Sequence, residues 1–199
     1  KQTGISRSNA YNSLASMTEK GAAYLVEEAS TRKYVPVPLN EFCKNRIRKL
    51  EESGKWLQEH MPTEKAYVEG YITIEGAENI LNKIKNLLSQ VDQRVYISCT
   101  RNYLLLLIRE LDTLMEERKK VVIITDQPAT FHNAKVYFGE NRGMQIGIIA
   151  DSKYVLTGEY GEGSMNTCLY SGQKNFVELY KTALANEIKL LSIREENKD

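Results

Sequence analysis

Apolar residues recur at helical spacing near the start of the chain, between a helix-start signal and a helix-stop signal. Ala10, Leu14 and Met17 fall three to four positions apart, which predicts a helix with one face toward a core. Ser6 suits the N-cap, and Gly21 suits the left-handed position after the last turn. The opposite face is polar and carries Arg7, Ser8, Asn12 and Ser16.

A hairpin is predicted directly after this helix. Residues 22–27 and 32–37 are strand-like, with a turn over residues 28–31, and Arg32 and Lys33 put two cations at the tip. A polar helix followed by a basic hairpin is the element order of a winged helix-turn-helix, in which the helix enters the major groove and the hairpin contacts phosphates. An ordinary amphipathic helix with a solvated hairpin is the alternative.

The polar face and the hairpin tip give nine candidate DNA-binding residues. They are Ser6, Arg7, Ser8, Asn9, Asn12, Ser13, Arg32, Lys33 and Tyr34. A winged helix normally has one or two helices before its recognition helix, and the chain begins inside the motif. We therefore expect residues 1–39 to form an N-terminally incomplete winged helix-turn-helix.

A long helical pattern follows Pro38. Its apolar residues recur at spacings of four, three, four, three and four, which is the a/d repeat of a coiled coil. This seam consists of Cys43, Ile47, Leu50, Gly54, Leu57 and Met61. With Asn40 as the N-cap and Pro62 as the stop, we predict that residues 40–63 form a coiled-coil dimerisation helix. A single helix packed on its own domain is the alternative.

Strand-like and helix-like patterns alternate through the rest of the chain, after a polar linker at residues 64–70. The predicted strands are 71–74, 94–98, 120–125, 134–138, 145–150, 154–157 and 167–170, and the predicted helices are 76–90, 102–118 and 173–191. This order predicts an α/β domain over residues 64–199 with a mixed, mostly parallel sheet.

Composition adds little to this picture. The 199 residues are 42% hydrophobic and 27% charged, which is ordinary for a globular chain, and the net charge is +1. Residues 1–60 hold ten Lys/Arg against seven Asp/Glu, a small basic bias in the predicted DNA-binding part. Cys43, Cys99 and Cys168 form no Cys-x-x-Cys motif, so we expect reduced thiols, no metal, no cofactor and a cytoplasmic location. The most apolar run is too short to span a membrane.

The N-terminal residues resemble the TrmB-like transcriptional regulators. In that family a polar recognition helix with an aromatic residue and a leucine leads to a glycine, and a basic wing ends in a tyrosine and a proline-bearing strand. The matching residues are Tyr11, Leu14, Gly21, Lys33, Tyr34 and Pro36. Ala22 and Ala23 replace the leucine and valine that usually follow the glycine.

The segments YITIEGAENIL, RVYIS and QIGIIADSKYVLTGE resemble the phospholipase D-related domain of the same family. The two resemblances together imply a sequence-specific transcriptional regulator. We expect it to bind a double-stranded DNA operator as a homodimer and to respond to a small-molecule effector.

The catalytic motif of the phospholipase D enzymes is missing from this sequence. Those enzymes use a His-x-Lys pair with an aspartate five residues after the lysine, where the histidine is the nucleophile and the lysine holds the phosphate charge. If Asp151 is the aspartate of the motif, Met144 stands at the histidine position and Ile146 at the lysine position. Neither His60 nor His132 begins the motif. We therefore expect no catalytic residue and no enzymatic activity. A phospholipase D-like phosphodiesterase or nuclease, and a protein-binding adaptor, are the alternatives.

Loops at strand ends provide a candidate effector pocket, because open α/β sheets bind ligands at such loops. His132 lies in a loop after an apolar strand, and a glycine-containing loop begins at Glu159. We predict a pocket lined by Asp126, His132, Glu159 and Ser164. Ordinary solvated loops are the alternative.

Overall fold

The computed structural model describes residues 4–28, 31–61, 70–127, 131–140, 142–163 and 165–196. The chain divides into two compact units, Lys1–Lys65 and Ala66–Asp199. The described helices are α1 (Arg7–Glu19), α2 (Leu39–His60), α3 (Ala77–Ser89), α4 (Arg101–Leu105), α5 (Ile108–Glu116) and α6 (Lys174–Glu196). The described strands are β1 (Ala23–Glu28), β2 (Thr31–Pro36), β3 (Tyr71–Glu75), β4 (Arg94–Ser98), β5 (Lys120–Thr125), β6 (Ala134–Phe138), β7 (Gln145–Ala150), β8 (Tyr154–Glu159) and β9 (Thr167–Ser171). The mixed α/β fold class is confirmed.

The N-terminal unit has the predicted order of helix, hairpin and long helix. The Ser6 hydroxyl accepts the Asn9 amide hydrogen at 3.3 Å and so caps α1. At the other end Gly21 has φ +72°, and the Ala22 amide donates to the Met17 carbonyl at 2.8 Å, which is the glycine stop that the sequence predicts. β1 and β2 then pair antiparallel, with Tyr24 opposite Val35.

The N-cap of helix α2 lies two residues earlier than predicted. This N-cap is Pro38, which has φ −52° and makes no side-chain capping bond, and the Pro38 carbonyl accepts the Phe42 amide at 3.0 Å. The prediction of Asn40 as the cap is therefore wrong, because the proline already sets an extended entry and its carbonyl accepts a helical hydrogen bond. The helix ends at His60. Pro62 and all but the last residue of the predicted linker lie outside the described residues.

The seven-stranded sheet of the second unit has the order β3-β9-β8-β7-β4-β5-β6. Only the pairs β4–β5 and β5–β6 are parallel among the six described pairs, and the other four are antiparallel. The prediction of a mostly parallel sheet is therefore wrong. Parallel neighbours need a long crossover connection, whereas antiparallel neighbours can be joined by a short turn. The turn at residues 151–153 is short, so β7 and β8 can pair only in the antiparallel sense.

Helices cover both faces of this sheet. Alternate residues of β5 point to opposite faces, so Val121 and Ile123 pack in one buried cluster and Val122 and Ile124 pack in another. The first cluster includes Ile84 of α3 and residues of α5, while the second is closed by residues of α6. Among the described residues, no helix combines the length and apolar character that crossing a membrane requires.

Candidate nucleic-acid interface

Helix α1 presents a polar surface. The six candidate contact residues of this helix and its N-cap are all exposed: Ser6, Arg7, Ser8, Asn9, Asn12 and Ser13. None of the thirteen residues of α1, all of them described, is buried. Ala10 and Leu14 are half-buried, but Met17 is 51% exposed, so the expected core face is covered only in part.

The cations of the hairpin lie on opposite faces. Arg32 and Lys33 are consecutive residues of β2, and successive strand residues point to opposite sides. The Arg32 guanidinium donates to the Glu27 carboxylate across the hairpin at 3.0 Å, and both side chains remain largely exposed. Tyr34 lies on the Arg32 side and is half-buried. The two candidate phosphate contacts therefore point in different directions.

A hydrogen bond joins the hairpin to the long helix. The Tyr24 hydroxyl donates to the Glu41 carboxylate at 2.6 Å, and this bond is the main reason that the pKa of Tyr24 lies above its ordinary value. Ala23 and Val37, which flank the base of the hairpin, are buried. The hairpin is therefore anchored at its base.

The apolar row of α2 is uncovered. Leu50 is 72% exposed, Met61 60% and Ile47 55%. Leu57 and Cys43 are also exposed, and Gly54 is half-buried. None of the residues of α2, all of them described, is buried in the single chain. A row of large apolar side chains at heptad spacing is thus left open to a partner.

The positions that match the phospholipase D motif hold no catalytic pair. Ile146 is buried in β7, and Met144 is partly exposed just before its start. Asp151 accepts the backbone amides of residues 92, 93 and 94 at 2.8, 2.8 and 2.9 Å. Desolvation raises the pKa of Asp151, but these hydrogen bonds outweigh it, so its pKa lies below the ordinary value. The aspartate fixes a turn against the start of β4.

The structure contains a polar cluster around Arg142 that the sequence pattern does not predict. Arg142 has only 10% of its side chain exposed, and it donates to the Ser98 hydroxyl at 2.5 Å and to the Glu187 carboxylate. The Thr157 hydroxyl donates to the Tyr180 hydroxyl at 3.1 Å. Arg142 and its partners lie some 45 residues apart in the sequence, so no periodicity reveals them. These bonds tie α6 to the sheet.

The candidate effector-pocket residues that the structure describes lie in or next to three different strands of the sheet. Asp126 accepts the Arg101 amide at 2.9 Å at the carboxyl end of β5, whereas His132 lies before the start of β6. Because β5 and β6 are parallel, the end of β5 and the start of β6 lie at opposite ends of these strands. Glu159 ends β8, three strands from β5 in the sheet order. Ser164 lies outside the described residues.

Several known proteins are similar to this chain. TrmBL2, an archaeal chromatin protein whose structure shows a novel mode of DNA binding, is 16% identical and has a TM-score of 0.53 over 93% of this chain and 82% of its own. This likeness shows the fold. The uncharacterized protein YrhO of Bacillus subtilis (strain 168) is 29% identical over 141 residues, which are 69% of this chain and 50% of YrhO. The chain thus spans about half the length of this curated relative. No protein-family model matches the chain.

Phospholipase D-like structures also appear among the similar proteins. NucT from Helicobacter pylori is 16% identical with a TM-score of 0.47 over 60% of this chain and 97% of its own. Nuc from Salmonella typhimurium, a phospholipase D family member, is 10% identical with a TM-score of 0.46 over 59% of this chain and 92% of its own. These neighbours contradict the expectation that the chain is not an enzyme.

Proposed function

We propose that this protein is a sequence-specific DNA-binding transcriptional regulator of the TrmB-like class. One observation carries the proposal: an exposed polar helix, α1, is followed at once by an antiparallel hairpin with cations near its tip. The similarity of the fold to TrmBL2, a chromatin protein with a novel mode of DNA binding, supports it. Because a regulator must reach chromosomal DNA, the proposed location is the cytoplasm.

We further propose that residues 1–39 contact DNA, residues 40–63 pair two chains, and residues 64–199 form a domain for dimerisation and effector response. The uncovered row on α2 supports the homodimer, since each large side chain contributes about 1.5–3 kcal/mol when it is removed from water. The proposed partners are an operator in double-stranded DNA, a second copy of the chain, and a small-molecule effector.

The experiment begins by selecting bound fragments from the source genome, which yields an operator for titration. Arg7→Ala is expected to weaken operator binding by about 1–3 kcal/mol if the guanidinium reads a base. Arg7→Lys is the matched variant, because lysine keeps the charge but lacks the bidentate fork. The lysine variant should therefore retain binding to random DNA and lose most of the preference for the operator.

The hairpin is tested in the same titrations. Arg32→Ala and Lys33→Ala should weaken the binding of operator and random DNA alike. Each phosphate that the protein no longer neutralises should reduce the slope of log affinity against log salt by about one. Because the two side chains point to opposite faces of the hairpin, we expect the two variants to differ in the size of their effect. Lys189→Ala, at an exposed lysine on α6, is the control.

Two results would contradict the proposal. One is the failure of the selection to enrich any site, and the other is normal operator affinity in the Arg7, Arg32 and Lys33 variants. The same samples on denaturing gels report whether bound DNA is cut, which measures phosphodiesterase activity directly.

A further inference from the structure

A cavity of about 330 Å³ lies between α6 and the part of the sheet formed by β4, β5 and β6. Its charged lining residues are Arg94, Lys120, Lys135 and Lys181. The described residues that line it include no carboxylate. The cavity is therefore a concentration of positive charge in a chain whose net charge is only +1.

The sheet register places these cations next to one another. Arg94 and Lys120 are direct partners on the parallel strands β4 and β5, and Lys135 is the partner of Val122, two residues beyond Lys120. Neighbouring strands lie about 4.8 Å apart, and like charges at opposed positions repel each other. An anion held between them converts this repulsion into attraction.

The acidic and polar groups beside Arg94 and Lys181 neutralise these two cations only weakly. Arg94 donates to the neutral Gln93 side chain at a long 3.4 Å. Lys181 lies 3.3 Å from Glu178, but both side chains are about half exposed, and such surface pairs are weak. Asp151, in the adjoining turn, already accepts three backbone amides.

The floor of the cavity is apolar and aromatic. Val122, Ile149 and Leu184 line it and are buried. The Lys120 ammonium lies 5.8 Å from the centre of the Tyr96 ring, and the Lys135 ammonium lies 5.0 Å from the centre of the Tyr137 ring. The cavity thus offers cations for a charged group beside rings and aliphatic carbons for an uncharged body.

We propose that this cavity binds a small organic phosphate of the size of a nucleoside monophosphate. The arginine fork and the lysines suit the phosphate, and the tyrosine side suits a planar body. The volume is at the lower end of the range for small-molecule sites, and a concave site with a buried floor favours a small ligand over a duplex. Arg94 and Lys120 begin their strands, so the site lies at the edge opposite Asp126 and does not depend on DNA binding by the N-terminal unit.

Calorimetry on the full chain tests the proposal with AMP, GMP, CMP and UMP, with inorganic phosphate and adenosine as partial ligands. At least one nucleotide should bind, adenosine should not, and inorganic phosphate should bind at least about tenfold more weakly, because it leaves the apolar floor unused. Arg94→Gln and Lys120→Gln should each weaken nucleotide binding at least about tenfold, because each removes a charge-assisted hydrogen bond. Arg109→Gln, at an exposed site on α5 over the other face of the sheet, should leave binding unchanged.

Thermal melts distinguish a variant that cannot bind from one that cannot fold. Without ligand, Arg94→Gln should melt at or above the temperature of the wild type, because it removes a like-charge neighbour of Lys120. With the nucleotide, the wild type should gain several degrees and the variant should gain little.

Three outcomes overturn the proposal. The first is no binding of any of the four nucleotides at millimolar concentration, and the second is unchanged nucleotide affinity in both glutamine variants. The third is that these variants weaken duplex DNA binding while nucleotide binding stays normal, which would assign the cations to a nucleic-acid surface.

Discussion

The Asp151 carboxylate holds three consecutive backbone amides at the start of β4. Asp151 and Ser152 have φ of 49° and 55°, a left-handed turn that asparagine and aspartate adopt more readily than most residues. The side chain thus supports both the turn and the strand that it faces. This role gives a structural reason for an aspartate at this position.

Asp151→Asn should destabilise the protein in a pH-dependent manner. The asparagine keeps the turn conformation but loses the negative charge and one acceptor, which we expect to cost about 1–2 kcal/mol at pH 7, a low value because the group is partly solvated. Since the pKa of Asp151 is lowered in the folded state, its stabilisation is present above the unfolded pKa of about 3.9 and is lost as the pH falls through the folded pKa. Urea unfolding between pH 7 and pH 2 measures this difference.

Asp112→Asn, at an exposed site on α5, is the control and should change little at any pH. A difference between wild type and Asp151→Asn that stays constant down to pH 2 would show that the charge of the carboxylate is not the source of the effect.

At the scale of elements, the sequence predicts the bounds of four strands of the sheet. β4, β5, β6 and β7 have the predicted bounds because each is a short apolar run between turn signals. The predicted helix 102–118 is instead two helices, α4 and α5. The break between them could not be predicted, because the run of leucines from Leu104 to Leu107 is compatible with a continuous helix. Strand direction could not be predicted, because β3 pairs with β9, at the far end of the chain, and no local pattern encodes that pairing.

The candidate sites divide in the same way. The exposure of the candidate contact residues of α1 could be predicted from sequence, because helical periodicity assigns them to the polar face. The positions of the effector-pocket candidates could not be predicted from sequence, because they depend on the strand order and on the strand ends that each loop joins. Arg142 and the cation cavity depend on contacts between elements distant in sequence, so local spacing gives no sign of either.

Helix α2 contains a natural probe of the proposed pairing, the thiol of Cys43. In a parallel coiled coil each seam residue faces its counterpart, at a distance that suits a disulfide. Cys43 is exposed, whereas burial raises the pKa of Cys99 to about 12 and that of Cys168 to about 11, so the two buried thiols stay protonated and unreactive near pH 8. Mild oxidation should therefore produce a disulfide-linked dimer through Cys43, seen on a non-reducing gel.

Cys43→Ser should abolish this dimer, and Leu50→Asp should reduce it by weakening the seam. If the wild type gives only monomer on the gel at concentrations where it sediments as a dimer, the two helices do not run parallel and in register at Cys43.

At the scale of the whole molecule, operator binding and pairing are expected to be coupled. Half-sites of a symmetric operator lie about 34–36 Å apart, so two recognition helices must be held at a matching separation. Helix α2 has 22 residues and is about 33 Å long, which is enough to join a winged helix to a paired body. A protein that cannot pair should bind one half-site at a time and lose the gain in affinity from binding both.

Ile47→Asp combined with Leu50→Asp should lower operator affinity more than either single hairpin variant. The double change puts two charges at the seam, where pairing would remove them from water, so it should shift the protein toward monomer. Asn45→Asp with Trp56→Asp is the matched control, because it adds the same charge to the same helix at exposed positions away from the seam. Sedimentation gives the oligomeric state, and titration of a palindromic site gives the affinity of each variant. A wild type that sediments as a monomer at operator-binding concentrations, or a seam variant that binds the palindrome normally, would remove the paired helix from the proposed function.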